Sequence, residues 1–239
     1  MHPSQNFVIV VAAGKGLRMG SEIKKQYLYL DKIPILSRTI MAFDSCDQVH
    51  EIVLVIPKQD HEYCKKHIID PFGFAKKIHL VEGGNKRQDS VLNGLKRVND
   101  RINIDKETIV LIHDGVRPFV NQNIIKACIQ KTIEYGACIP GVKITETVKQ
   151  VCPDSSIQKT LNRQFLYTAQ TPQTFKLDLI LRAFDYAIKT CFSGTDDASL
   201  VEHLGEKVVI IKGSSLNIKI TTQEDLILGK HMLNRIEIE

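Results

Sequence analysis

The 239-residue chain contains no tryptophan, and aromatic residues make up only 6% of it. With no Trp and no stripe of aromatic and basic residues, a stacking platform for single-stranded nucleic acid is not encoded. Basic tracts are missing too. Lys and Arg number 32 against 27 Asp and Glu, a formal net charge of +5, but they are scattered and not gathered in blocks of five or six. Scattered cations suit a small polyanion, on which side chains distant in sequence converge, so no nucleic-acid partner is expected. The six cysteines (Cys46, Cys64, Cys128, Cys138, Cys152, Cys191) form no C-x-x-C pair and meet no His-x-x-x-His, so they read as buried or incidental thiols and not as a zinc framework. A basic leader is lacking, and the first apolar run, Phe7 to Ala13, is too short for a signal core or a membrane span. A cytoplasmic chain without membrane contact is the expectation.

What is present is ordinary globular material, 43% hydrophobic and 25% charged. The length suits one domain over residues 1–239. Short runs rich in β-branched residues (FVIVVA from Phe7, EIVLVI from Glu51, KIHLVE from Lys77, TIVLIH from Thr108) alternate with stretches of helical spacing at Pro34 to Phe43 and Arg87 to Val98. That alternation predicts parallel strands joined by crossover helices, an α/β fold. From Gly141, VKITETVKQV alternates apolar and polar residues and CPDSS supplies a turn, which predicts a hairpin arm at about 141–165 inserted in the domain. Helices are expected again at Lys176 to Lys189, Asp196 to Leu204 and Glu224 to Leu233, with a strand from Lys207 to Ile211. Two strands alone are marginal in water, so the arm needs a partner surface and a homodimer is expected.

The first strand runs into AAGKGLRMGSEIKKQYL, where Gly14, Gly16 and Gly20 sit beside Arg18 and Lys25. Ligands of open α/β sheets bind beyond the carboxyl ends of strands, and small residues there let backbone approach a phosphate. The spacing G-x-G-x-x-x-G is neither the dinucleotide fingerprint nor a P-loop. Two cations seven residues apart suit one triphosphate instead. HDGVRP places Asp114 and Arg117 at a second strand end, and GGNKRQDSV brings Gly83 and Gly84 ahead of a helix that Asp89 or Ser90 can cap.

The segments AAGKGLRM, KKQYL, GGNKRQDSVLNGL, HDGVRPF, TAQTPQTF, TDDASLVE and NIKITTQEDL stand in the order and spacing of the bacterial 2-C-methyl-D-erythritol 4-phosphate cytidylyltransferases, and the chain resembles that family over nearly its whole length. The resemblance implies a Rossmann-like, mostly parallel (mixed) sheet flanked by helices, with a protruding β-hairpin arm for dimerisation. It implies transfer of CMP from CTP, with Mg²⁺ assisting and diphosphate leaving. Arg18 and Lys25 are then the catalytic cations. Cytosine and nucleotide readout fall to Val11, Ala12, Ala13, Gly14, Gly16, Gly84, Asn85 and Ser90. Asp114 and Arg117 lie near the ribose and the substrate, and Thr147, Arg163, Thr171 and Lys219 hold the sugar-alcohol phosphate. Thr147 and Arg163 lie on or near the arm, which leaves open whether they act in the partner's site. For the metal, a direct bond to Asp114 and a cation held by nucleotide phosphates both stand open. His113 reads as structural, because an ionised phosphate monoester needs no base.

Two departures from the family pattern stand out. Lys24 occupies a position where proline is usual, which predicts a freer loop and a third cation, and Gly115 and Val116 replace a commoner small pair. Ribitol 5-phosphate cytidylyltransferase shares the loop and the CTP chemistry and is the nearest alternative. A catalytically inactive nucleotide-binding module is the alternative from another class, disfavoured by the joint presence of Arg18, Lys25, Asp114, Arg163 and Lys219.

Overall fold

Each of the four β-branched runs is a strand in the computed structural model, which describes residues 5–14, 24–100 and 107–236. They are β1 (Asn6–Val11), β4 (Glu51–Ile56), β5 (Lys77–Glu82) and β6 (Ile109–Asp114). β1 pairs in parallel with β4 and β6, and β4 with β5. The runs of β1, β4 and β6 are almost continuously apolar because the sheet is covered on both faces, whereas β5, at the edge, is only partly buried. Val8 and Val10 face α1 (Ile35–Asp44) and α4 (Gln122–Tyr135), in a core with Phe43, Ile40 and Ile125. The alternate residues Phe7 and Ile9 face α3 (Arg87–Asn99), α5 (Leu177–Lys189) and α6 (Asp197–His203), in a core with Val91, Leu95 and Phe184. Ahead of α1, β2 (Tyr29–Leu30) and β3 (Ile33–Pro34) form a short antiparallel ladder, and α2 (His61–Cys64) follows β4.

The second half differs from the expected parallel array followed by an exposed hairpin. β7 (Ala137–Lys143), β10 (Tyr167–Ala169), β11 (Gln173–Lys176) and β12 (Val209–Lys212) all join the main sheet, in the order β10-β7-β11-β6-β1-β4-β5 with β12 on β7. β11 is wedged antiparallel between β6 and β7. The arm proper is the hairpin of β8 (Lys149–Val151) and β9 (Ile157–Thr160), and its base is closed where the Ile144 N–H donates to the Leu166 carbonyl at 3.0 Å. Residues 141–143, expected in the arm, belong to β7. Val151, Ile157 and Phe165 are exposed along it, Phe165 by 75%.

From β1 the chain steps one way to β4 and β5, then returns to the other side of β1 with β6. The crevice beyond the carboxyl ends of β1 and β6 is therefore the topological switch point, where open α/β sheets bind ligands. α7 (Gln223–Ile236) closes that end of the fold, its Leu233 in a small core with Leu30, Ile35, Val116 and Ile220. Among the described residues no helix is long and apolar enough to cross a membrane.

Candidate active site

Val11, Ala12, Ala13 and Gly14 leave β1 and form one wall of a cavity of about 520 Å³. Backbone bonds from Ala12 N–H to the Val55 carbonyl (2.8 Å) and from Gly115 N–H to the Val11 carbonyl (2.9 Å) hold that wall against its neighbouring strands. The carboxamide of Gln26 donates to the Ala12 carbonyl at 2.8 Å and lies within 3.3 Å of the Gly14 carbonyl, tying the exit of β1 to the turn that carries Lys25. Among the described residues, Lys25, Lys86, Arg87 and Lys219 line the cavity with a single carboxylate, Asp114, so this part of the lining is cationic and matches a polyanion.

The opposite wall is the loop before α3. A Cβ on Gly84 would sit 2.3 Å from the Asp89 Cβ, and one on Gly83 2.2 Å from the Ala13 Cβ, so both positions require glycine. Asp89 caps the helix, its carboxylate accepting from the Lys86 N–H at 3.0 Å. Ser90 accepts from the Gly84 N–H at 3.0 Å and donates its one proton to the Lys86 carbonyl at 3.1 Å. Its hydroxyl thus shapes the loop with one lone pair and its one proton, and a second lone pair remains for a donor. Gly84, the exposed Asn85 and the buried Ser90 all line the cavity.

Asp114, at the end of β6, is the hub. Lys219 reaches it at 3.0 Å, Arg117 at 3.3 Å and Arg87 at 3.6 Å. Burial alone raises a carboxyl pKa, but here the charges of Lys219, Arg87 and Arg117 prevail and hold Asp114 well below the usual carboxylate range. A second cavity of about 290 Å³ opens on the far side, lined by Arg117, Gln170, Thr171, Thr195 and Asp196. The two cavities share Arg87, Asp114 and Lys219. The chain therefore has two adjoining cavities, or lobes, that share one charge cluster.

Thr171 lies at the second lobe but faces inward. The buried His113 approaches the Arg117 carbonyl with Nε2 at 3.1 Å and the Thr171 hydroxyl with Nδ1 at 3.0 Å. A carbonyl only accepts, so Nε2 carries the proton and Nδ1 accepts from Thr171, whose oxygen in turn accepts the Asp114 N–H at 3.2 Å. Burial, with Arg117 and Lys219 nearby, pushes the His113 pKa down to about 4 and keeps the ring neutral. His113 thus orients Thr171, and Thr171, which lines the second cavity, holds the Asp114 backbone.

Three participants escape the sequence reading. Arg87 binds Asp197 bidentately at 2.9 and 2.7 Å. Asp197 opens α6, whose first amides are fixed by Gln173: its carbonyl oxygen accepts from Asp197 N–H (3.0 Å) and Ala198 N–H (2.9 Å) while its amide donates to Asp196 at 2.7 Å. The charged residues of RQDSV and TDDAS are visible in the sequence, but their pairing across 110 positions is not. Lys24 likewise departs from expectation. Its ammonium is paired with Asp60 at 2.6 Å, so it tethers the turn Lys25–Tyr27, and it lines neither cavity; the rest of the loop lies outside the described residues.

Of the other expected residues, Gly16 and Arg18 lie outside the described residues. Thr147 and Arg163 stand on the arm, exposed, and neither lines either cavity of its own chain; Arg163 donates to the Thr145 carbonyl. Among the described residues no cluster of three or more His, Cys, Asp or Glu suits a metal. Asp114, ringed by three cations, does not fit a divalent ion, so the protein residues described here do not form a resident metal site.

Comparison with known proteins places the chain in a family. The family described as IspD: 2-C-methyl-D-erythritol 4-phosphate cytidylyltransferase matches residues 6–235. Relatives bearing that enzyme's name include one from Alkaliphilus oremlandii, 45% identical over 96% of this chain and 95% of the relative, and one from Clostridium novyi, 44% identical over 98% and 99%. Among solved structures, the 4-diphosphocytidyl-2C-methyl-D-erythritol synthase of Anaerococcus prevotii superposes with a TM-score of 0.82 at 31% identity, covering 97% of this chain and 96% of its own. The Francisella tularensis 2-C-methyl-D-erythritol 4-phosphate cytidylyltransferase gives 0.80 at 31%, covering 95% and 99%. Fold and sequence agree over essentially the full length, and the chain belongs to the 2-C-methyl-D-erythritol 4-phosphate cytidylyltransferase family.

Proposed function

We propose that the chain transfers CMP from CTP to 2-C-methyl-D-erythritol 4-phosphate, releasing diphosphate and forming 4-diphosphocytidyl-2-C-methyl-D-erythritol, an isoprenoid precursor of the non-mevalonate route. The observation that carries this reading is the pair of adjoining lobes meeting at Asp114, Arg87 and Lys219, one bounded by the β1 exit and the glycine loop, the other by Arg117 and the α6 terminus. Two phosphorylated substrates laid in these lobes place their reacting groups against one charge cluster.

In this proposal the cytosine and ribose lie along Val11 to Gly14 and Gly84 to Asn85, and the triphosphate lies toward Lys25 and the segment holding Gly16 and Arg18. A divalent cation such as Mg²⁺, which the described residues are not arranged to hold, would come with the nucleotide and offset part of its phosphate charge. The 4-phosphate of the second substrate, already ionised, attacks the α-phosphorus; a P–O bond to it forms as the bond to diphosphate breaks, and no covalent enzyme intermediate is involved. Arg18 and Lys25 stabilise charge on the α-phosphate and the leaving group, while Lys219 and Arg117 orient the attacking phosphate. Asp114 keeps these cations apart and aimed, and stands at the ribose and polyol. The arm joins two copies into a homodimer and carries Thr147 and Arg163 to the partner's second lobe. The enzyme works in the cytoplasm.

The deciding experiment is diphosphate release with CTP and Mg²⁺, with 2-C-methyl-D-erythritol 4-phosphate and D-ribitol 5-phosphate offered separately. Turnover with the first is the expected result. Preference for the second moves the substrate while leaving the mechanism, and silence with both leaves a nucleotide-binding module.

A further inference from the structure

Asp60 belongs to none of the segments that carry the family resemblance, and it lies in the turn Lys58–Asp60 that follows β4. Its carboxylate is nevertheless the anchor of the segment that re-enters the site. Lys24 donates to both of its oxygens, at 2.7 and 2.6 Å, and the Tyr27 hydroxyl donates to Oδ2 at 2.9 Å. Asp60 and Tyr27 are buried, and the Tyr27 ring packs against Tyr63 with centroids 5.1 Å apart. Burial first, then Asp60, push the Tyr27 phenol far above its ordinary range, so it stays a donor. Gln26, between them, holds the Ala12 carbonyl.

The side chains of Lys24, Gln26 and Tyr27 are thus fixed to residues that follow neighbouring strands, and Lys25, between Lys24 and Gln26, lines the cavity. Residues Lys25–Tyr27 make one tight turn, closed by the Tyr27 N–H to the Lys24 carbonyl at 2.9 Å. A cation serves a developing charge only where it is held in place beforehand, and a displacement of about 1 Å costs up to about a hundredfold in rate. We propose that Asp60 is a positioning residue for the transfer reaction: through Lys24 and Tyr27 it fixes the backbone from which Lys25 reaches the triphosphate. The inference rests on the assignment of Lys25 given above. Lys24 has φ −61° and ψ 137°, values that a proline ring accepts, so the tether can be replaced by a covalent restraint at the same residue.

The test compares Lys24→Met, Asp60→Asn, their double variant, Lys24→Arg and Lys24→Pro in the intact protein. Diphosphate release gives kcat and KM, and hydrogen exchange of the amides of residues 25–28 gives a readout independent of turnover. Lys24→Met and Asp60→Asn are expected to lower kcat about tenfold with KM for the polyol phosphate within about twofold, and to quicken exchange at 25–28. The double variant is expected to be no worse than the poorer single one, since both break the same link. Lys24→Arg, which keeps the paired charge, and Lys24→Pro, which fixes φ, are expected to recover most of kcat. Unchanged kcat and exchange in the Met and Asn variants, additive losses in the double variant, or failure of both Arg and Pro to recover activity each overturn the proposal. A wild-type protein silent with every polyol phosphate but showing the exchange changes instead overturns the functional reading and leaves the tether intact.

Discussion

Arg87 and Asp197, 110 positions apart, form a bidentate ion pair at 2.9 and 2.7 Å that joins α3 to the start of α6. Asp197 is fully buried, and the Arg87 guanidinium also lies 3.6 Å from Asp114. Burial alone disfavours the guanidinium charge, but Asp197, Asp114 and Asp196 outweigh it and raise the Arg87 pKa. Removing the Asp197 charge leaves that cation underpaired and free to be drawn toward Asp114. Asp197→Asn is expected to cost about 2 kcal/mol of stability, less than for a wholly buried pair because Arg87 keeps some exposure to solvent. It is also expected to lower kcat/KM for the polyol phosphate about tenfold. Urea unfolding and steady-state kinetics on the one variant check both, and unaltered kinetics in a destabilised protein confines the pair to a structural role.

His113 makes stability depend on pH in a defined window. Its pKa falls from the ordinary 6.5 to about 4 in the folded state, chiefly through burial. Between these values the unfolded chain binds a proton that the native one refuses, so stability is full above about pH 6.5 and declines as pH falls toward 4. At about 1.4 kcal/mol per unit the loss is about 3 kcal/mol. Asp114, with its folded pKa below the carboxylate range, contributes its own loss only at more acidic pH. Urea midpoints of the wild type are expected to fall across pH 6.5 to 4, while His113→Gln, less stable at neutral pH, shows a flatter profile. A wild-type profile flat over that range defeats the assignment of a neutral His113.

Much of this is legible in the sequence, for identifiable reasons. The strands at Phe7, Glu51 and Thr108 read correctly because burial on both faces removes alternation and leaves nearly unbroken apolar runs, whereas the edge strand at Lys77 is only partly buried and reads from its Ile78, Leu80 and Val81. α3, α5 and the closing helix follow from apolar spacing. α4 is omitted from that reading although Ile124, Ile125, Cys128, Ile129 and Thr132 carry a helical stripe. The wedging of β11 between β6 and β7 is a non-local choice that four residues cannot announce. In the site, residue types on glycine-bounded loops mark where ligands come. They do not mark what each hydroxyl or charge is bonded to: Thr171 is used by His113, Ser90 by the Lys86 carbonyl and Lys24 by Asp60. Those assignments depend on partners brought in by tertiary folding.

Gly84 gives a direct probe of the nucleotide lobe. Its absent Cβ would lie 2.3 Å from the Asp89 Cβ and 3.1 Å from the Asp89 carbonyl carbon, neither of which is the end of a flexible side chain. Gly84→Ala must therefore move the loop or Asp89, the cap of α3, at a cost of about 1 to 3 kcal/mol. Because that loop is a wall of the first lobe, CTP affinity is expected to weaken about tenfold or more, and discrimination against UTP to narrow. Titration calorimetry with the two nucleotides tests this. Undiminished CTP binding removes the loop from the nucleotide site.

The exposed arm yields the sharpest test of assembly. Lys25 lines the cavity of its own chain, whereas Thr147 and Arg163 stand on the arm and line neither cavity there. If the arm delivers Arg163 to a second copy, each complete site draws Lys25 from one chain and Arg163 from the other. Lys25→Ala is expected to lower kcat by about two to three decades, and Arg163→Ala to lose second-substrate binding. Mixing the two inactive variants under conditions that exchange protomers then creates, in each mixed dimer, one site with both residues intact and one with neither. About half of the dimers are mixed at equal concentrations, so roughly a quarter of all sites recover, and activity should rise to about a quarter of wild type. No recovery after exchange, verified by the mass of the mixed dimer, means that Arg163 serves its own chain or none. Recovery near a quarter fixes both the dimer and the direction in which the arm reaches.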